Sequence, residues 1–256
     1  SGSLDSFPME AAQIIRDAVA RVSNLRRDCA LDPTLAASVY AVKAFQARRF
    51  AGTYSDLLAS DTYRHAARFF LVELYSDKDY SDRDAQFGRI AGGLQTLFTK
   101  QVVATAVSLA QLHLLTEELD HAMGLAWQKA SMPENASPAE RYLEAWRMVG
   151  HRNDRGRQLA TVLTIGRDLA RLTRLPGLRL VLRMMRKPAH AAGLGSLQEF
   201  LESGFDTFAG MSHQTRGVET FLSIIEEREA ELIDLLFDGT PVTCVTKLDA
   251  ILGQAR

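Results

Sequence analysis

Apolar residues recur along most of this chain at three- and four-residue steps, and alternating apolar-polar runs are almost absent, so the pattern predicts helices throughout. The most organised stretch is residues 61–98, DTYRHAARFFLVELYSDKDYSDRDAQFGRIAGGLQTLF. Within it Ala67, Phe70, Leu71 and Leu74 keep helical spacing from Arg64 onward, and Phe69 and Val72 widen the apolar stripe. A stripe that wide predicts a helix over 61–75 buried on most sides. Arg68 and Glu73 interrupt it and must reach solvent or a partner, for which Arg83 and Asp84 are the candidates. Ser81, followed by Asp82 and Asp84, has the chemistry of an N-cap with acids in the first turn of a second helix.

The remaining pattern predicts a first helix to about Arg27, a second from Asp32-Pro33 to about Phe50, and a connector over 52–60 with room for one helical turn. The longest pattern runs from Lys100 to about Lys129, near ~45 Å if continuous, and forms the expected spine of a bundle. A break at 132–137 ends in Ser137-Pro138, a cap followed by a first helical residue, and divides the chain into expected subdomains at 4–131 and 138–256, or leaves one closely packed domain. Helices follow at 139–150, 153–173, after Pro176-Gly177 up to Pro188, at 196–210, at 215–237 and after Thr240-Pro241. The expected fold is all-α, a bundle of about nine or ten helices around a buried central pair.

The chain has 256 residues, 46% of them hydrophobic, which is enough to bury a sizeable core. Its formal net charge of −1 gives no global field that would draw nucleic acid or a membrane surface. No apolar run approaches ~18 residues and no signal-peptide pattern is present, so the expected setting is cytoplasmic. Ser1-Gly2-Ser3 reads as a cloning remnant. Cys29 and Cys244 are far apart and lack further ligands at metal spacing, which predicts two buried thiols.

Three patterns touch on chemistry. Asp77, Asp79 and Ser81 match the first three ligand positions of a calcium loop, but Asp82 stands where such a loop needs glycine and Gly88 where it needs glutamate. Glu118 and His121 form Glu-x-x-His, the unit with which ferritin-like proteins place two ligands on one iron or manganese ion. Only one copy is present; Glu73, Glu144 and Glu202 are the further carboxylates available. Gly193-Leu194-Gly195 lacks both the preceding strand and the full spacing of a nucleotide loop. His65, His113, His121, His151, His190 and His213 are scattered, and no serine or cysteine sits in a nucleophile elbow.

The run Phe69–Tyr75, FFLVELY, followed by Asp79 and then Arg83-Asp84, resembles a pattern in an uncharacterised family of bacterial all-helical proteins. Its members carry an FFLxxLY-like helix end and a downstream Arg-Asp pair. The stretch PAHAAGLGSLQEFLESGF at 188–205 looks like part of the same family. The resemblance implies an all-helical fold and marks Glu73, Tyr75, Asp79, Arg83 and Asp84 as a structural motif. It brings no activity with it.

Charge is spread unevenly. Between 147 and 187 lie Arg147, Arg152, Arg155, Arg157, Arg167, Arg171, Arg174, Arg179, Arg183, Arg186 and Lys187, against Asp154 and Asp168 alone. The stretch from 199 to 238 reverses the balance. Arg167, Arg171 and Arg174 fall at i, i+4 and i+7, and Arg179, Arg183 and Arg186 repeat that spacing, so two helices are expected to present arginine stripes. Arginine binds oxyanions bidentately, which points to an anionic ligand or acidic partner. The plainer alternative pairs the basic helices with the acidic ones, in the fold or across a homo-oligomer.

The sequence therefore predicts a non-catalytic binding protein, expected to be a homo-oligomer, engaging an acidic partner or anionic ligand through these arginines, with no cofactor. A helical metal- or cofactor-dependent oxidoreductase built on Glu118 and His121 is the alternative, and a helical site for an apolar small molecule the third. Without aromatic interleaving or a binding motif, nucleic acid is not an expected partner.

Overall fold

The computed structural model describes residues 6–74, 81–93, 100–191, 195–212 and 217–255. These form thirteen α-helices and no strand: α1 Ser6–Ala30, α2 Pro33–Thr53, α3 Ser55–Ala59, α4 Arg64–Phe69, α5 Ser81–Ile90, α6 Lys100–Lys129, α7 Pro138–Val149, α8 Arg152–Leu172, α9 Leu178–Met184, α10 Arg186–Ala191, α11 Gly195–Ser212, α12 Gly217–Asp238 and α13 Pro241–Gln254. The all-α class is as the periodicity predicts. The count exceeds nine or ten because the extra helices are short, five to seven residues each, and one or two turns leave little periodicity to read.

Local chemistry sets the helix starts. The Asp32 carboxylate accepts from the Thr34 and Leu35 amides, Ser137 Oγ from Glu140 N, and Thr240 Oγ1 from Thr243 N, each just before a proline that has no N–H to leave unsatisfied. Gly177, at φ 80°, turns the chain into α9. α9 and α10 are separate: the break falls at Met185, and Pro188 lies in the first turn of α10, where a missing N–H does no harm. The helix expected over 61–75 is α4, widening at Phe70–Leu74 into a π-helical turn. Ala66, Ala67, Phe69 and Phe70 are buried in it, while Arg68 reaches solvent.

The chain divides into two compact units that each draw on three segments. One contains 1–24, 79–115 and 161–220; the other contains 25–78, 116–160 and 221–256. The break at 132–137 therefore separates two helices of the same unit, and α4 and α5, the two helices of the 61–98 stretch, belong to different units. A proline or glycine break marks where a helix stops, and carries no information about which helices then pack together.

In the first unit, Ile15, Ala18, Ala91, Val103, Ala106 and Ala110 form an apolar cluster of small side chains. α5 is tied to its neighbours by polar contacts: Gln86 Oε1 accepts from Leu197 N at the start of α11, and Arg83 lies over the Phe200 ring, 4.6 Å from its centroid. In the second unit, Val42, Phe45, Met123, Tyr142, Trp146, Leu236, Cys244, Leu248 and Ile251 join α2, α6, α7, α12 and α13 in one core. α2 and α13 approach closely at Gly52, where an added Cβ would overlap the Ile251 carbonyl oxygen and lie 2.8 Å from its carbon. Both are backbone atoms and can yield only by moving a helix. Gly52→Ala is expected to destabilise the protein by about 1–3 kcal/mol, and Gly253→Ala, which faces open space, to be neutral or stabilising by up to about 1 kcal/mol. Urea denaturation midpoints of the two variants check this pair.

Candidate functional site

The second unit carries a row of polar residues into its interior. Lys43, Gln46 and Arg49 follow one another at three-residue steps on α2 and so share a face. Lys43 Nζ donates to Asp120 Oδ2 at 2.8 Å and to Glu117 Oε1 at 3.1 Å, both on α6. Gln46 donates to Asp120 Oδ1 at 2.9 Å and accepts from the Tyr142 hydroxyl at 3.0 Å. Arg49 grips Glu229 on α12 with two bonds of 2.7 and 2.9 Å, and the Tyr54 hydroxyl donates to the same carboxylate at 2.9 Å. Burial alone would lower the pKa of Lys43 and Arg49, but the facing acids outweigh it, so both are held above their usual values. Burial pushes the Tyr142 hydroxyl up, which keeps it a donor to Gln46.

Beside this row lies a cavity of about 60 Å³ whose lining includes Arg49, Asp120, Tyr142, Trp146, Arg155 and Glu229. Arg155 is 95% buried, its relative exposure being 5%, and its guanidinium lies over the Trp146 ring at 4.2 Å. Its Nη1 makes a long bond of 3.5 Å to Gln158, whose amide donates to Thr116 Oγ1. Its Nε and Nη2, and Nε1 of Trp146, are buried without a hydrogen-bond partner.

The sequence-predicted arginines lie in the first unit and are all exposed, but they do not form two regular stripes. Arg167 and Arg171 lie on α8, Arg174 in the turn that follows it, Arg179 and Arg183 on α9, and Arg186 at the start of α10. The i+7 position falls past a helix end in both cases. Three of the six meet acids: Arg171 with Asp168 at 3.9 Å, Arg179 with Asp206 at 3.2 Å and Arg186 with Glu202 at 2.6 Å. The Arg186 bond holds the Glu202 carboxyl below its usual range. Arg167 and Arg174 make no salt bridge among the described residues, and Arg183 acts on Glu202 only at longer range. Alongside lie exposed Leu180, Val181 and Met184, at 60, 40 and 69%.

Among the described residues no group of three or more His, Cys, Asp or Glu side chains is placed to hold a metal ion. Glu118 and His121 are half-buried, and the neighbouring Glu117 and Asp120 are the pair turned into the interior; His121 Nε2 is buried without a hydrogen-bond partner. Glu144 is exposed. In the Arg83-Asp84 pair, Asp84 accepts from His113 Nε2 at 2.8 Å, with Arg83 Nε 3.9 Å away. Tyr75, Asp77, Asp79, Gly193 and His213 lie outside the described residues. Cys244 is buried and its thiol donates to the Leu235 carbonyl. No helix among the described residues is long and apolar enough to cross a membrane.

Sequence reasoning missed the interior row, because Lys43, Gln46 and Arg49 read alone as a solvated helix face. It also missed Arg155, which it counted in the basic run between 147 and 187 without setting it apart.

A family model described as a domain of unknown function, DUF8198, matches residues 25–243, and the chain belongs to that family. Compared with curated proteins and with solved structures, it has no match in either.

The Arg49–Glu229 pair yields a test of the interior row. Glu229→Leu alone strands a buried guanidinium and is expected to cost about 3–5 kcal/mol, whereas Arg49→Met with Glu229→Leu should recover most of that loss. Chemical denaturation of the single and double variants reads the difference.

Proposed function

We propose that this member of the DUF8198 family is a non-catalytic binding protein that docks an acidic, partly apolar segment of a partner protein on the face formed by α8, α9 and α10. The observation that carries this is the exposed Leu180 and Met184 row beside Arg179 and Arg183, preceded in the chain by Arg167 and Arg174, which make no salt bridge among the described residues. Leu180 and Met184 are four residues apart on α9, as are Arg179 and Arg183, so the two rows run side by side along the helix. Large apolar side chains at such exposure lose free energy to water until something covers them, and arginines around them select a negatively charged cover. An acidic segment with apolar anchors meets both demands. A nucleic-acid backbone would leave Leu180 and Met184 uncovered, and no aromatic side chain accompanies the arginines to stack on bases.

The internal pairs do not remove this preference. Arg179–Asp206 and Arg171–Asp168 are exposed and weak, worth on the order of 0–1 kcal/mol each, so a partner carboxylate can displace them. The basic run is thus only partly compensated by the acidic stretch that follows it in sequence. Exposed Glu219, Glu226, Glu227 and Glu231 on α12 make no salt bridge among the described residues.

The test is a titration of the protein with a synthetic helical peptide carrying glutamate and leucine in adjacent rows. Duplex DNA and phosphatidylserine vesicles serve as competing ligands and sedimentation velocity reports self-association. Combined Arg167→Glu, Arg174→Glu and Arg183→Glu is expected to weaken peptide binding by at least about tenfold without shifting the thermal midpoint, since all three side chains are exposed. Equal peptide binding by the variant, preference for DNA or vesicles, or a dimer that the same variant dissolves would each overturn the assignment.

A further inference from the structure

The cavity of the second unit is lined by a cation that its surroundings do not answer. Of the charged groups lining it, Glu229 is engaged by two bonds from Arg49 and one from Tyr54, and Asp120 by Lys43 and Gln46. Among the described residues Arg155 has no acid within salt-bridge distance: Arg49 answers Glu229, Lys43 and Arg26 together answer Asp120 and Glu117, and Arg155 is the cation left over. A guanidinium does not shed its proton under any ordinary condition, so the cost of burial cannot be relieved by titration as it is for lysine.

The two partnerless nitrogens are not arbitrary. Nε–H and one Nη2–H of arginine lie on the same edge of the planar group and point in parallel, matching the two oxygens of a carboxylate. The remaining nitrogen, Nη1, is turned to Gln158, and the Trp146 ring lies against the flat face. Gln158 is itself held by Thr116, so the guanidinium is oriented from behind and its bidentate edge is left over. Leu159, Leu232, Ile233, Leu236 and Leu248 supply an apolar wall. A cavity of about 60 Å³ has room for roughly four to six atoms the size of water, which admits a short monocarboxylate and excludes a nucleotide or a sugar phosphate.

We propose that this cavity is a binding site for a small aliphatic monocarboxylate, held side-on by Nε and Nη2 of Arg155, with its alkyl end against the leucine and isoleucine wall. One surplus positive charge calls for one negative charge, so a dianion would bring back the imbalance that it removes. The site is independent of the docking face on α8–α10, and neither proposal needs the other.

Trp127 and Trp146 are the two tryptophans, so a Trp127→Phe background leaves Trp146 as the reporter of the cavity. In that background, acetate and propanoate are expected to give a saturable change in Trp146 emission at millimolar concentration and to raise the thermal midpoint. Acetamide and propanamide, equal in heavy-atom count and uncharged, are expected to do neither. Arg155→Met should abolish the response, and Arg155→Lys should keep a fraction of it, having the charge but not the fork. Because Arg155→Met can also perturb folding, a second measurement uses the unaltered chain: intermolecular nuclear Overhauser effects from carbon-13-labelled acetate to the Leu159 and Ile233 methyls, expected if the site is occupied. A response that acetamide matches, one that chloride displaces as well as propanoate does, or one that survives Arg155→Met in a folded protein would overturn the site. So would the absence of saturable binding together with absent methyl contacts, which would leave water as the occupant.

Discussion

Arg49 and Glu229 meet through two hydrogen bonds across 180 residues of chain, and the second unit is assembled around that contact. Apolar contacts between helices tolerate sliding and rotation, because one leucine can replace another against the same surface. A two-pronged bond between a planar guanidinium and a carboxylate tolerates neither. With Lys43 and Gln46 preceding Arg49 on the same face, α2 is keyed to α6 at two places and to α12 at one. The close approach of Gly52 to α13 then follows from a helix whose rotation is already set. Such pairs add little net stability, since desolvation consumes most of the attraction, but a misaligned arrangement would leave charges stranded in a dry interior.

Helix positions were legible in the sequence because they depend on neighbours within four residues. Asp32-Pro33, Ser137-Pro138 and Thr240-Pro241 each combine a capping side chain with a proline, and each opens a helix where the pattern places it. The interior row was illegible for the opposite reason. Lys43 finds its acids 74 and 77 positions away and Arg49 finds its acid 180 positions away, so nothing local separates them from surface charge. A weak signal does exist in α2: polar residues interrupt Val42, Phe45 and Phe50 on several sides, which a helix packed on more than one neighbour would show.

The candidate metal pair illustrates how helix phase decides what a motif means. Glu118 and His121 share the i, i+3 spacing that makes two ligands converge, and so do Glu117 and Asp120, one residue earlier. A step of one residue rotates a helix position by about 100°, so the two pairs cannot serve the same surroundings. The structure turns the earlier pair toward Lys43, and the interior there becomes an ion-pair network of two acids shared by Lys43 and Arg26. Spacing alone identifies a pair that can act together; it does not say which of two overlapping pairs faces inward.

Charge counting likewise treated eleven basic residues between 147 and 187 as one feature, and the structure sorts them by environment. Arg147 bonds the Leu236 and Gly239 carbonyls, Arg152 holds Asp234 and Asp238, and Arg155 is buried, while Arg167 through Lys187 are exposed. An exposed arginine costs a fold almost nothing, so its presence constrains function weakly, and the docking face draws its force from the uncovered Leu180 and Met184 beside it. A buried guanidinium with two unanswered donors costs several kcal/mol and cannot escape by losing its proton. A methionine or leucine at 155 would fill the same volume beside Trp146 at no such cost. A charge there, with Gln158 on its Nη1 side and the Trp146 ring against its face, therefore supports the proposed carboxylate site more strongly than exposure supports the proposed docking face.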